Sequence, residues 1–198
     1  MSDFYQGGVF SLLHKLGKRN IEGLESELEG YSMERPIALV LPVTFSDLHA
    51  PACQEIFREL RNIRYIKEFV VTLGMTNTKE QFEEAKELVR QLPENRVLIW
   101  CNGPRIRKLY KLLEKHELRV GGDGKGRSAW TAYGYIIARG TCWVIALHDC
   151  DIVNYDRELL ARLCYPCTNP SLDYEFCKGF YSRVSDRMHG RVTRLYVM

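Results

Sequence analysis

No stretch of the sequence holds the roughly 18 consecutive apolar residues that a membrane-spanning helix needs, and no membrane partner is expected. The N-terminus, Met1-Ser2-Asp3-Phe4-Tyr5, has no basic flank leading into an apolar block, the mark of a secretory signal. A cytoplasmic location is expected. Charge of one sign is scarce as well: 28 Lys and Arg against 25 Asp and Glu leave a net charge of +3. That excess is too small to argue for nucleic acid, and the aromatics are not interleaved with the basic residues in a stacking pattern. No nucleic-acid partner is expected. There is no internal repeat and no low-complexity segment, so the 198 residues read as one domain with room for a substantial core. The seven cysteines form no disulfide-like framework. Cys164 and Cys167 have zinc-type spacing, with Cys177 further on, but a structural zinc site takes four ligands and a second pair is missing. Buried thiols of a reducing compartment are the better reading.

What is present is ordinary soluble composition, 45% apolar and 27% charged, with a regular pattern. Residues 1–35 read as an N-terminal helical arm. Val9, Leu12, Leu13 and Leu16 share one helical face, Gly17 interrupts it, and Ile21, Leu24 and Leu28 form a second. From 36 onward, short apolar runs alternate with helical spacing. The strands are Ile37 to Leu41, Phe69 to Leu73, Arg96 to Trp100 and Trp143 to Leu147. The helices run from Ala52 to Ile63, Lys79 to Leu92, Pro104 to His116, Ser128 (as a cap) to Ala138, and Asp156 to Leu163. Continuously apolar strands alternating with helices predict an α/β fold with a mostly parallel sheet. Such sheets bind ligands outside the carboxyl ends of their strands. Polar and special residues gather there: Pro42, Ser46 and Asp47 after the first strand, Gly74, Thr76 and Asn77 after the second, Cys101-Asn102-Gly103 after the third, and His148-Asp149-Cys150-Asp151 after the fourth.

Asp149-Cys150-Asp151 is the sharpest feature. Five apolar residues lead to two carboxylates, which repel each other unless a cation is present. Magnesium or manganese accepts one or two carboxylates plus phosphate oxygens. The alternative is a turn whose aspartates satisfy loose backbone N–H groups; the strand-end position favours the metal. The run from Gly121 to Ser128 is the second feature. Glycines allow close backbone approach, the helix that follows points free N–H groups at the run, and Lys125 adds a full charge. A diphosphate suits it, and a plain surface connection is the alternative. It is neither a P-loop nor a Rossmann fingerprint, because no Ser or Thr follows Gly-Lys and it does not follow the first strand. Arg183, Arg187, Arg191 and Arg194 cluster late, as a solvated face or an anion site. No side chain stands out as a covalent nucleophile.

Several stretches resemble one family: residues 35–42, Gly124-Lys125-Gly126-Arg127, 146–151, 155–163, 176–181 and 190–195. The chain resembles the glucosyl-3-phosphoglycerate synthase group of retaining glycosyltransferases with the GT-A (Rossmann-like) fold. The resemblance covers nearly the whole chain and is most specific from Gly124 onward. It implies a nucleotide-sugar-binding domain over 36–198, with UDP-glucose as the expected donor, Mg2+ or Mn2+ as cofactor and a phosphorylated glycerate as acceptor. Residue by residue, it implies that Pro42 and the following turn with Asp47 hold the nucleoside, and that Gly124 and Lys125 contact the diphosphate. Asp149 would face the ribose and Asp151 would bind the metal. Gly190, Arg191 and Thr193 match the segment that holds the acceptor phosphate, and an arginine beside a threonine hydroxyl is a sensible phosphate cradle.

The chain also departs from the family pattern. An aspartate follows the second strand in the family, where this chain has Leu73-Gly74-Met75-Thr76, and Asn-Asp-Gly-Pro-Arg stands where this chain has Cys101-Asn102-Gly103-Pro104-Arg105. Both changes fall on the nucleotide side and leave base preference open. Family members continue past the Arg-Val-Thr-Arg-Leu segment with a further metal-binding histidine and more acceptor contacts, which neither His148 nor His189 matches. This chain stops at Tyr196-Val197-Met198, in what reads as the start of a strand. Such an edge is expected to be covered by self-association into a homo-oligomer or by a further segment. The chain alone is expected to bind nucleotide sugar weakly and to turn over slowly or not at all. A non-catalytic nucleotide-sugar-binding module is the alternative. A nucleotidyltransferase would carry its glycine-rich signature right after the first strand, where Pro42-Val43-Thr44 stands.

Overall fold

The computed structural model describes residues 20–179 and the backbone of two short strands beyond them. In chain order the elements are α1 (Ile21–Glu34), β1 (Ile37–Thr44), α2 (Phe45–His49), α3 (Pro51–Leu60), β2 (Ile66–Gly74), α4 (Lys79–Val89), β3 (Arg96–Trp100), α5 (Pro104–Lys115), α6 (Lys125–Arg139), β4 (Val144–Leu147), α7 (Arg157–Thr168), β5 (Arg183–Val184) and β6 (Met188–His189). The first four strands form one all-parallel sheet in the order β3-β2-β1-β4. This is the α/β architecture expected from continuously apolar strands between helices.

β1 is central and buried along nearly its whole length. Its residues alternate between two helical layers. Ile37, Leu39 and Leu41 join a core that also holds Leu24 and Leu28 of α1, Ile56 and Phe57 of α3, Ala85 of α4 and Leu160 of α7. Ala38 and Val40 face the other way, toward Ala132 and Ile136 of α6, with Ile106 of α5 beside them. α1 starts where Asn20 accepts hydrogen bonds from the Glu22 and Gly23 N–H groups, and it lies against α7. Residues 1–19, which hold the first half of the expected arm, lie outside the described residues.

The strand order reverses between β1 and β4, and the two strands part early. Their pairing ends at Val40 opposite Leu147, and the Val40 carbonyl accepts the His148 N–H at 3.4 Å. Two residues on, Pro42 turns its backbone to the same side by the period-two geometry of a strand. A proline inside a central strand normally costs a ladder hydrogen bond. Here β4 has already left, so none is lost, and a crevice opens beside Pro42. On the other side β1 keeps pairing with β2 as far as Thr44 opposite Gly74.

Several elements run past the expected ends, β1 to Thr44, β2 from Ile66 and α7 to Thr168, and two helix starts differ in kind. Before the helix that starts at Pro51, a short helix α2 begins at a capping box: the Asp47 N–H donates to Thr44 Oγ1 at 3.2 Å, and the Thr44 N–H donates to Asp47 Oδ2 at 2.8 Å. α6 starts at Lys125, three residues before the expected cap. Ser128 is no cap; it is buried in the first turn, packed against Gly74. A Cβ on Gly74 would stand 2.7 Å from Ser128 Oγ, so only glycine lets α6 approach β2 this closely. That contact fixes the first turn despite Gly126 within it.

Candidate functional site

Residues His148 to Asp151 leave β4 alternating in and out. His148 and Cys150 are buried, Asp149 is half-buried and Asp151 is exposed. The spacing of two therefore sends both carboxylates to the crevice side and anchors the segment from the core side. His148 is the anchor. Its Nδ1 lies 3.1 Å from the Asp149 carbonyl, which can only accept, so Nδ1 carries the proton. Nε2 then accepts from the Tyr155 hydroxyl at 3.2 Å. Burial holds His148 neutral by pushing its pKa down to about 4, against the opposing pull of Asp149. With the folded value below the unfolded one, the unfolded chain takes up a proton first as pH falls. Stability from this group is complete above pH 6.5 and drains away toward pH 4, by about 3 kcal/mol in all. Urea titrations at pH 7.5, 6 and 4.5 check this: His148→Gln should flatten that part of the slope, and a variant as acid-sensitive as the parent would contradict it.

Lys125 is the first residue of α6, and its ammonium pairs with Asp149 Oδ1 across the crevice. The N-cap, Gly124, has no side chain and makes no side-chain cap bond. The N–H groups of the first turn, which have no acceptor within the helix, stay open for a ligand. The third wall is the end of β1: Pro42, Val43, Thr44 and Asp47 line the crevice with Gly74, Met75, Gly124, Lys125, Ser128, Asp149, Cys150 and Asp151. Pro42, Asp47, Gly124, Lys125, Asp149 and Asp151, distant in sequence, thus share one cleft at the strand-order reversal, where open parallel sheets bind ligands. One Asp47 oxygen is committed to the capping box.

Other strand-end residues are not in this cleft. Thr76 is buried and donates to the Gly74 carbonyl, and Asn77 accepts from Arg107 of α5. Cys101 is buried, and Gly103 leaves no room for a Cβ beside Trp100. Sequence reasoning passed over Met75, which lines the cleft with its backbone in the left-handed region at φ 51°. Gly190, Arg191 and Thr193, expected to hold an acceptor phosphate, lie outside the described residues, as do the side chains of the late arginine cluster.

Among the described residues, no three or more His, Cys, Asp or Glu side chains come together as a metal cage. The carboxylates of the cleft are Asp47, held in the capping box, Asp149, engaged by Lys125, and Asp151, which is exposed. Such a set fits a hard divalent ion that takes most of its ligands from phosphate oxygens and water, and not one that needs a full protein cage. Nor is any helix of the described residues long and apolar enough to cross a membrane.

No family model matches the chain. A protein of Persephonella marina named glucosyl-3-phosphoglycerate synthase is 44% identical over 196 residues, which is 99% of this chain. The chain is glucosyl-3-phosphoglycerate synthase-like. A glucosyl-3-phosphoglycerate synthase of Methanococcoides burtonii is 34% identical over 180 residues, or 89% of this chain. The chain spans about half the length of these curated relatives, 48% and 44% respectively. Among solved structures, a 4-diphosphocytidyl-2C-methyl-D-erythritol synthase from Anaerococcus prevotii aligns over 71% of this chain and 54% of its own, with TM-score 0.48 and 10% identity.

Proposed function

We propose that this chain forms the nucleotide-sugar-binding part of a metal-dependent retaining glucosyltransferase that takes UDP-glucose as donor and 3-phosphoglycerate or a related phosphorylated acid as acceptor. The supporting observation is the convergence of Lys125, the open first turn of α6, Asp149 and Asp151 on the crevice beside Pro42. The Lys125 ammonium and free N–H groups on one wall face carboxylates on the other, the complement of a diphosphate with a divalent ion. In this reading the turn after Pro42, with Asp47, holds the nucleoside. Lys125 and the α6 N–H groups hold the diphosphate, Asp149 turns from Lys125 to the ribose, and Asp151 carries Mg2+ or Mn2+. The ion, when bound, would neutralise charge that builds on the departing nucleotide diphosphate. Lys125 gives the same electrostatic help from the protein side. Gly190, Arg191 and Thr193 hold the acceptor phosphate, and 1–35 forms an arm on the binding domain of 36–198. The names of the two relatives support a glucosyl group as the group transferred and 3-phosphoglycerate as the acceptor class.

Titration with UDP-glucose and GDP-glucose, with and without magnesium, tests the proposal. UDP-glucose should bind more tightly than GDP-glucose, and more tightly with magnesium than without it. Affinity indifferent to both base and metal would overturn it. Donor binding without any transfer to 3-phosphoglycerate would favour a non-catalytic nucleotide-sugar-binding module.

A further inference from the structure

Resting on that reading, we infer that Asp123 is a positioning residue for the diphosphate site. It ties the start of α6 to the exit of β3 while leaving the helix's free N–H groups untouched. A helix start is usually fixed by a capping side chain, which consumes the N–H groups a phosphate would need. Gly124 cannot cap. Asp123, one residue further out, anchors the turn instead. One carboxylate oxygen accepts from Asn102 Nδ2 at 2.6 Å, just past β3. The other meets Arg127 Nη2 at 2.7 Å, one turn into α6. The Met75 backbone, on the strained residue after β2, adds a weaker pull on the carboxyl in the acidic direction. Despite partial burial, the Asn102 bond and the Arg127 charge hold the Asp123 carboxyl below its usual range, so it stays ionised.

The partners are themselves braced. The Arg127 guanidinium is mostly buried, 4.9 Å above the Tyr110 ring, and the Tyr110 hydroxyl lies 2.7 Å from Thr131 Oγ1. Thr131 Oγ1 donates back to the Arg127 carbonyl at 2.8 Å. Asn102 is buried, and its amide hydrogen goes to Asp123. A single carboxylate thus joins the exit of β3 to the start of α6, whose first turn lines the cleft. Without its charge, Arg127 loses a counter-ion in a poorly solvated place, and an amide has one oxygen where the carboxylate offers one each to Asn102 and Arg127. Lys125 and the first-turn N–H groups then lose their fixed aim.

The test uses the full chain with Asp123→Asn and Asp123→Glu, the second of which keeps the charge. Calorimetry with UDP and with uridine separates the diphosphate from the nucleoside, and hydrogen exchange reads the backbone of 121–128 without ligand. Asp123→Asn should weaken UDP about tenfold or more, the scale of a lost charge-assisted contact, and uridine less than about twofold. It should speed exchange across 121–128, and Asp123→Glu should restore most of both. Parent-like UDP affinity in Asp123→Asn, or equal losses for UDP and uridine, would overturn the inference while the reading of the cleft stands. A parent chain that does not bind UDP would overturn that reading, and the inference with it; exchange unchanged in Asp123→Asn would show that Asp123 anchors nothing.

Discussion

Asp151→Asn is expected to abolish the gain in nucleotide-sugar affinity that magnesium brings, while leaving the fold and the metal-free affinity close to those of the parent. Asp149 already has a cationic partner in Lys125, whereas Asp151 stands exposed at the cleft rim. An ion held by so few protein oxygens must complete its shell with phosphate oxygens and water. Metal and nucleotide should therefore bind as a pair, each weak without the other. The substituted amide keeps the size of the carboxylate and removes its charge. Calorimetry of UDP-glucose at saturating magnesium and in chelator gives the two affinities. If the variant keeps the magnesium-dependent gain, the ion sits elsewhere.

Lys125→Ala should cost about 1.5–3 kcal/mol of UDP-sugar affinity, the scale of a hydrogen bond to a charged group, or roughly ten- to hundredfold in Kd. Uridine should lose much less, because it has no diphosphate. The pair that Lys125 makes with Asp149 is half-exposed on both sides, so its loss should matter little to folding. The same substitution leaves Asp149 without its counter-charge, so repulsion with the phosphates adds to the loss. Comparing UDP with uridine in the parent and the variant isolates the diphosphate contribution. Equal losses for both ligands would make Lys125 a structural residue.

β1 and β2 are buried on both faces and so are apolar nearly throughout, which made the runs from Ile37 and Phe69 visible without coordinates. The acid pair was visible for a related reason: two carboxylates beyond an apolar strand have few structural uses. α2 was not visible as a helix, because five residues are too short to show a period, although Thr44 and Asp47 carry the spacing of a capping box. The start of α6 was obscured by Gly126 in its first turn and by Gly121, Gly122 and Gly124 before it. Its true position depends on Ser128 packing against Gly74, a contact between residues far apart in sequence. Asp123 was likewise unreadable, because its partner Asn102 comes from the exit of β3 and only folding brings the two together.

The central claim is that nucleotide sugar sits in the crevice between β1 and β4, and amide chemical shifts of the full isotope-labelled chain test it most directly. On titration with UDP-glucose and magnesium, saturable shifts should fall on Val43, Thr44, Asp47, the first turn of α6 from Lys125 to Ser128, and Asp149 to Asp151. Shifts confined to the shallow surface around Glu29, Met33, Arg64 and Lys67, or no saturable shift at all, would contradict the account.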